Sequence, residues 1–140
     1  GNTGMGLAMI SVVHPSAFVS PSTVHGGGFF LAPMSAVGRG CSIGDNVCVY
    51  SGATIDHDNS IGDHVFVGPG VHTAGMVALG SGAYLGPGVV VASGCSVGEG
   101  TIVGAGATVL ESLPPGVIAF GTPARPKETA ASWLQRKGWA

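Results

Sequence analysis

The chain has 140 residues, one domain by size, with 45% hydrophobic residues, 9% charged residues and a formal net charge of −2. That balance argues against nucleic acid as a partner, which needs a basic face, and no apolar run approaches membrane-spanning length. Glycine contributes 26 residues; scattered, they would suggest disorder, but they are not scattered.

Residues 1–12 read as a lead-in. They have neither the basic n-region nor the clean cleavage site of a secretory signal, so the cytoplasm is the expected compartment. From Val13 to Val109 an aliphatic residue recurs at every sixth position: Val13, Val19, Leu31, Val37, Ile43, Val49, Ile55, Ile61, Val67, Leu79, Leu85, Val91, Val97, Val103 and Val109. Only His25 and Thr73 break the series. A second inward set lies four residues after each member and includes Phe29, Cys41, Val47, Asn59, Val65, Val77 and Cys95. In nine hexads the residue after the periodic position is Gly, as at Gly38, Gly62 and Gly80. Turns need such a residue for φ > 0 or for close backbone approach.

A strict six-residue repeat of this kind predicts an all-β parallel solenoid. Each hexad supplies a short strand and a turn, and three hexads make one coil of a triangular prism with three parallel sheets. Residues 18 apart then stack about 4.8 Å from one another along the axis. The repeat domain is expected over residues 13–113. A solenoid this small, with bare ends, should oligomerise.

Three cysteines do not make a disulfide framework. Cys41 and Cys95 take inward positions, and Cys48 should point outward. The repeat is expected to stop at Leu113-Pro114-Pro115-Gly116, because consecutive prolines cannot donate ladder hydrogen bonds. Residues 114–140 then form a C-terminal loop and a capping helix. The loop runs through Gly121-Thr122-Pro123-Ala124-Arg125-Pro126. Ala130, Trp133, Leu134 and Lys137 form an apolar helical stripe beyond it, suited to covering the open end of the solenoid or touching a neighbour. Four of the five basic residues, Arg125, Lys127, Arg136 and Lys137, lie in this last part, and only Arg39 sits in the body.

The densest polar cluster is Asp56-His57-Asp58-Asn59, followed by Asp63-His64. A histidine beside a carboxylate can act as a general base, the acid orienting the ring and stabilising the imidazolium; a polar turn at a prism corner is the alternative. Adding 18 to His57 gives Gly75, Ser93 and Glu111 in one column. Three coils span about 14 Å, comparable to an extended pantetheine arm. A thioester at His57 would direct the phosphates of coenzyme A toward the basic C-terminal end, toward Arg125 and Lys127. The N–H of Gly75, one coil from His57, is a candidate donor to the thioester.

The run Ala53-Thr54-Ile55-Asp56-His57-Asp58-Asn59-Ser60-Ile61-Gly62-Asp63 resembles the active-site segment of the hexapeptide-repeat, left-handed β-helix acyltransferases. The nearest branch holds the sialic-acid O-acetyltransferases and UDP-4-amino-sugar N-acetyltransferases. His14-Pro15-Ser16-Ala17, Gly68-Pro69-Gly70, Ala74-Gly75, Pro114-Pro115-Gly116 and Gly121-Thr122-Pro123-Ala124-Arg125 carry the likeness across residues 12–126. The resemblance implies His57 as catalytic base, Asp58 as its carboxylate partner, and Gly75 as the glycine whose amide meets acetyl-coenzyme A. It also implies the Gly121–Arg125 loop beside the cofactor, left-handed coils, and a homotrimer with sites between adjacent prisms. Two departures accompany it. Many members carry a second His where this chain has Phe66, and His64 lies two positions earlier. Members also carry an N-terminal nucleotide-sugar-binding domain, whereas about a dozen residues precede His14 here. The chain is therefore expected to be a fragment, or to hold its acceptor differently.

Of the remaining histidines, His14 and His72 read as turn residues and His25 as a tolerated defect in a terminal coil. The expected function is transfer of acetyl from acetyl-CoA to an amino or hydroxyl group of a sugar or similar small acceptor, with no metal. Two alternatives stay open. A carbonic-anhydrase-like hydratase would need three His around zinc, and the close His pair typical of that class is missing. A non-catalytic assembly solenoid is the other.

Overall fold

A computed structural model describes residues 9–140; of the expected lead-in, residues 1–8 lie outside the described residues. Two-residue strands recur at six-residue intervals from β1 (Val12–Val13) to β17 (Thr108–Val109). Each pairs in parallel with the strand 18 residues away, as Phe66 does with Tyr84 and Thr73 with Val91. The strands sort into sheets of eight, six and five members. The periodic aliphatics line the interior: Leu31, Val37, Val49, Val67, Leu85, Val91, Val103 and Val109 have no exposed surface, and neither do Phe29, Val47 and Val71 of the second set. Burying two such columns per face drives the coiling. Cys41 and Cys95 are buried as expected, and Cys48 is half-buried.

The structure divides two roles that the turn glycines could have shared. The glycine after the periodic position is there for close approach: at Gly80 a Cβ would lie 2.5 Å from Glu99 N and 2.9 Å from Gly98 C, one coil away. Positive φ falls two residues later, in the turns from Gly28 to Gly106. That position is glycine at Gly40 (68°) and Gly70 (67°), but Asp58 (56°), His64 (58°), Met34 (62°) and Met76 (59°) also occupy it.

The C-terminal part departs from expectation. The hexad phase ends at Leu113, which still bridges Val97. Pro114-Pro115 nevertheless does not end the sheet. These prolines form a corner, where no ladder N–H is required, and β18 (Val117–Phe120) rejoins the eight-stranded sheet with Ile118 opposite Ile102. Residues expected as the end of the loop are a strand: β19 (Arg125–Thr129) pairs antiparallel with β18 and forms the edge, which tolerates Pro126. Helix α1 (Ala130–Arg136) follows, its first turn capped by Thr129 Oγ1 accepting from Ser132 N. Trp133, Leu134 and Trp139 then face Tyr84, Ile102 and Phe120 across a cleft of about 540 Å³. The helix thus lies against the outer face of the eight-stranded sheet. Among the described residues no helix is long and apolar enough to cross a membrane.

Candidate active site

Strands Thr54–Ile55 and His72–Thr73 are neighbours in the six-stranded sheet, so the turns that follow them stack at one prism corner. In the first turn, Asp56 Oδ1 accepts from His57 N at 2.7 Å. Asp58 takes the positive-φ position, which Asp tolerates better than most residues. Its N–H donates to Arg39 O one coil away at 2.9 Å. Its carboxylate packs over Gly40, where a Cβ would collide with Asp58 Oδ1.

This arrangement directs Asp58 Oδ2 at the imidazole, which donates from Nδ1 at 2.9 Å. A carboxylate only accepts, so Nδ1 carries a proton, and in the neutral ring Nε2 keeps its lone pair for an incoming proton. The side chains of His57 and Asp58 are 37% and 46% exposed; the ring stands outside the prism, against its wall. Arg39, 18 residues before His57 in the same column, reaches Asp58 Oδ2 with Nη1 at 3.6 Å. Sequence reasoning did not assign Arg39 to the site, although the stacking rule was enough to find it.

Gly75 lies directly beneath the ring. A Cβ there would collide with His57 Nε2 and Cε1, so only glycine lets the imidazole occupy this position. The residue is buried, and among the described residues its N–H meets no acceptor. Its carbonyl accepts from Ser93 Oγ at 3.0 Å and Gly94 N at 3.1 Å. Farther down the column, Glu111 accepts from Arg125 Nη1 at 3.1 Å. Thr108 N donates to Gly121 O at 3.0 Å, and Ala124 N donates to Thr108 O at 2.8 Å. Gly121, Pro123, Ala124 and Arg125 are therefore gathered at the foot of the column that His57 heads. Lys127 is separate, exposed on β19 of the eight-stranded sheet.

The basic cluster is less free than its composition suggests. Arg125 is paired with Glu111, and Arg136 with Glu128; Lys137 Nζ lies 5.8 Å from the centroid of the Trp133 ring. The other histidines stand apart from His57. His64 is on a different corner, with Nδ1 3.1 Å from Asn46 Nδ2. His72 is on the outer face of the six-stranded sheet, 2.6 Å from Thr54 Oγ1. His14 is bonded to Ser16 Oγ, and exposed His25 sits on the end strand of the five-stranded sheet. Phe66 belongs to an aromatic ladder on the eight-stranded sheet, 4.5 Å from Tyr84 and 4.9 Å from Tyr50 between ring centroids. Among the described residues no three His, Cys, Asp or Glu side chains are grouped to hold a metal.

Residues 76–111 match the family described as bacterial transferase hexapeptide (six repeats). The fold superposes on a variant of GDP-perosamine N-acetyl transferase from Caulobacter crescentus, solved with CoA and GDP-perosamine. The TM-score is 0.86, with 39% identity over 87% of this chain and 58% of that one. Over residues 76–111 the chain matches the hexapeptide-repeat transferase family, and its fold is that of these solved transferases. The acetyltransferase domain of PglB from Neisseria gonorrhoeae FA1090, solved with acetyl coenzyme A, is a second match: 33% identity over 88% of this chain and 60% of that one, TM-score 0.85. WeeI from Acinetobacter baumannii AYE is a third, with 30% identity, 84% and 58% coverage and a TM-score of 0.82. This hexapeptide-repeat chain shares the left-handed β-helix of these structures and spans less than two thirds of their length. No curated protein matches it.

Proposed function

We propose that this protein transfers the acetyl group of acetyl-CoA to an amino group of a nucleotide-linked sugar, with His57 as general base. The observation that carries the reading is the His57–Asp58 pair outside the prism, set over the unpaired Gly75 N–H at the head of the column. Arg125 and the Gly121–Ala124 segment lie at the foot, about 14 Å away by strand spacing. The relatives solved with CoA and with GDP-perosamine support the donor and the acceptor class.

Acetyl-CoA supplies the thioester carbonyl and the thiolate leaving group. His57 Nε2 takes a proton from the acceptor nitrogen as that nitrogen forms its bond to the carbonyl carbon, while Asp58 holds Nδ1–H and stabilises the imidazolium. The C–S bond breaks, and His57 returns the proton to the departing sulfur. Gly75 N–H, unpaired among the described residues, is the donor for the carbonyl oxygen as negative charge builds there. Ser93 borders the pantetheine path, and Arg125 supplies positive charge for the phosphates; Lys127, set apart on β19, is left out of this role. Exposed apolar side chains on the outer faces, such as Phe18, Val24, Val90 and Leu110, support a homotrimer with sites between prisms.

The test is thiol release from acetyl-CoA with GDP- and UDP-linked amino sugars, beside hydroxyl-only analogues. His57→Ala should lower kcat by about a hundredfold or more. Equal rates would exclude His57 as the base, and release with no amino sugar would overturn the function. Equilibrium sedimentation at three times the chain mass would support the trimer.

A further inference from the structure

Five inward positions of the repeat carry buried polar side chains, Thr23, Ser35, Asn59, Thr73 and Thr101, and two of them, Asn59 and Thr73, meet behind the His57 corner. Asn59 is 1% exposed and Thr73 is 3% exposed. Thr73 Oγ1 donates to Asn59 Oδ1 at 2.7 Å. Asn59 Nδ2 donates to Ala74 O at 2.9 Å and to Asp56 O and His57 O at 3.1 Å each. Three carbonyls on one side fix which end of the amide is nitrogen. The group binds the turn that carries His57 to the turn that carries Gly75.

It is also the last member of an inward polar column. Thr23 Oγ1 donates to Gly38 O at 2.7 Å, Cys41 Sγ to Asp56 O at 3.1 Å, and Asn59 to Ala74 O. Each reaches the turn carbonyl 15 residues on. The column then passes to Val77 and Cys95. At both ends of this corner the turn closes by its own backbone bond, Thr23 N to Ser20 O at 3.0 Å and Cys95 N to Ala92 O at 3.2 Å. Between them, the carbonyls of Gly38, Asp56 and Ala74 are held from inside by side chains. A buried, fully satisfied polar group of this kind specifies one local geometry where an apolar one would permit several.

We propose that Asn59 and Thr73 are positioning residues for the acetyl-transfer site, holding the His57 and Gly75 turns in one fixed relation. Asn59 sets the backbone of both turns, and Thr73 locks the rotation of the Asn59 amide. Neither touches substrate. The inference rests on the proposed acetyl transfer for its kinetic consequence, but not for its structural one.

The decisive variant restores the aliphatic pattern: Asn59→Val with Thr73→Val. The turns can then close by backbone bonds, as Ala92–Cys95 does, so the melting temperature should stay near that of the parent. The kcat should fall roughly tenfold to a hundredfold, as misplacement of a reacting group does, with KM for acetyl-CoA little changed. An unchanged kcat in a folded variant would overturn the proposal. So would a lowered melting temperature with kcat unchanged per folded molecule, which would make the network a folding device. Should the double variant not fold, the near-isosteric Thr73→Val decides: it should lower kcat, and Thr73→Ser should restore it. Amide hydrogen exchange separates this result from failure of the enzymatic reading. Even if the parent proves inactive with every acceptor, Thr73→Val should speed exchange at Met76, which bonds His57 O, and at Asp58. Unchanged exchange there would overturn the positioning role.

Discussion

His57 owes its setting to what its neighbours lack as much as to what they provide. Gly40 leaves space for the Asp58 carboxylate and Gly75 leaves space for the ring. Gly75→Ala should therefore leave the melting temperature almost unchanged but displace the imidazole, lowering kcat by about a hundredfold; steady-state kinetics beside thermal melts would check both halves. The reverse economy holds at Met34, a positive-φ residue that is 71% exposed. It carries backbone strain and packs little, so Met34→Gly should raise unfolding free energy by about 1 kcal/mol, measured by denaturant titration. Asp58 bears the same strain, but its carboxylate has a role that glycine cannot fill.

At the scale of elements, the coils are held apart by one strand spacing, and the turns meet at distances that admit no extra carbon. Gly80→Ala would drive a Cβ into Glu99 N and the Gly98 carbonyl carbon. Both belong to backbone fixed in the next coil, so the cost should be about 1–3 kcal/mol, read as a lower melting temperature. The C-terminal hairpin of β18 and β19 behaves differently. It brings Arg125 to Glu111 at the foot of the His57 column. If Arg125 meets the cofactor phosphates as proposed, they share that guanidinium with the carboxylate. Glu111→Gln should therefore lower KM for acetyl-CoA severalfold and Arg125→Ala should raise it, both effects shrinking as salt is added because the pair is exposed. Initial rates at two ionic strengths would show whether the signs are opposite.

Over the whole molecule, the candidate site is a line along one edge of a prism. His57, Gly75, Ser93 and Glu111 are far apart in the chain, yet stacking 18-residue coils makes them consecutive. The aromatic ladder with Phe66 and the cleft beneath α1 lie on the eight-stranded sheet, away from that edge. The second histidine that the resemblance gives to many members would stand in this ladder, between Tyr50 and Tyr84. If trimers form as proposed and a neighbour's acceptor reaches this face, it meets aromatic surface there. Phe66→His should then alter KM for the acceptor while leaving KM for acetyl-CoA unchanged, a comparison that initial rates over an acceptor panel would make directly.

The period of six determined by itself the solenoid, its inward columns and the alignment of His57 with Gly75, because a coil of constant length turns sequence spacing into spatial stacking. That logic needs an unbroken repeat, and it lapsed after Leu113. There β18 returned to the sheet with a spacing of 16 between Ile102 and Ile118, and β19 formed although Pro126 and its charges argue against a strand. Its edge position, which only the assembled sheet defines, removed the objection. Tertiary structure alone decided which face of the turn His57 takes, which carboxylate oxygen it bonds and that Arg125 is shared with Glu111. It also decided that Asn59 and Thr73, exceptions in the pattern, meet each other behind the ring. Spacing fixes which residues are level with one another, whereas side-chain direction and hydrogen bonding depend on atoms from adjoining coils that no local rule contains.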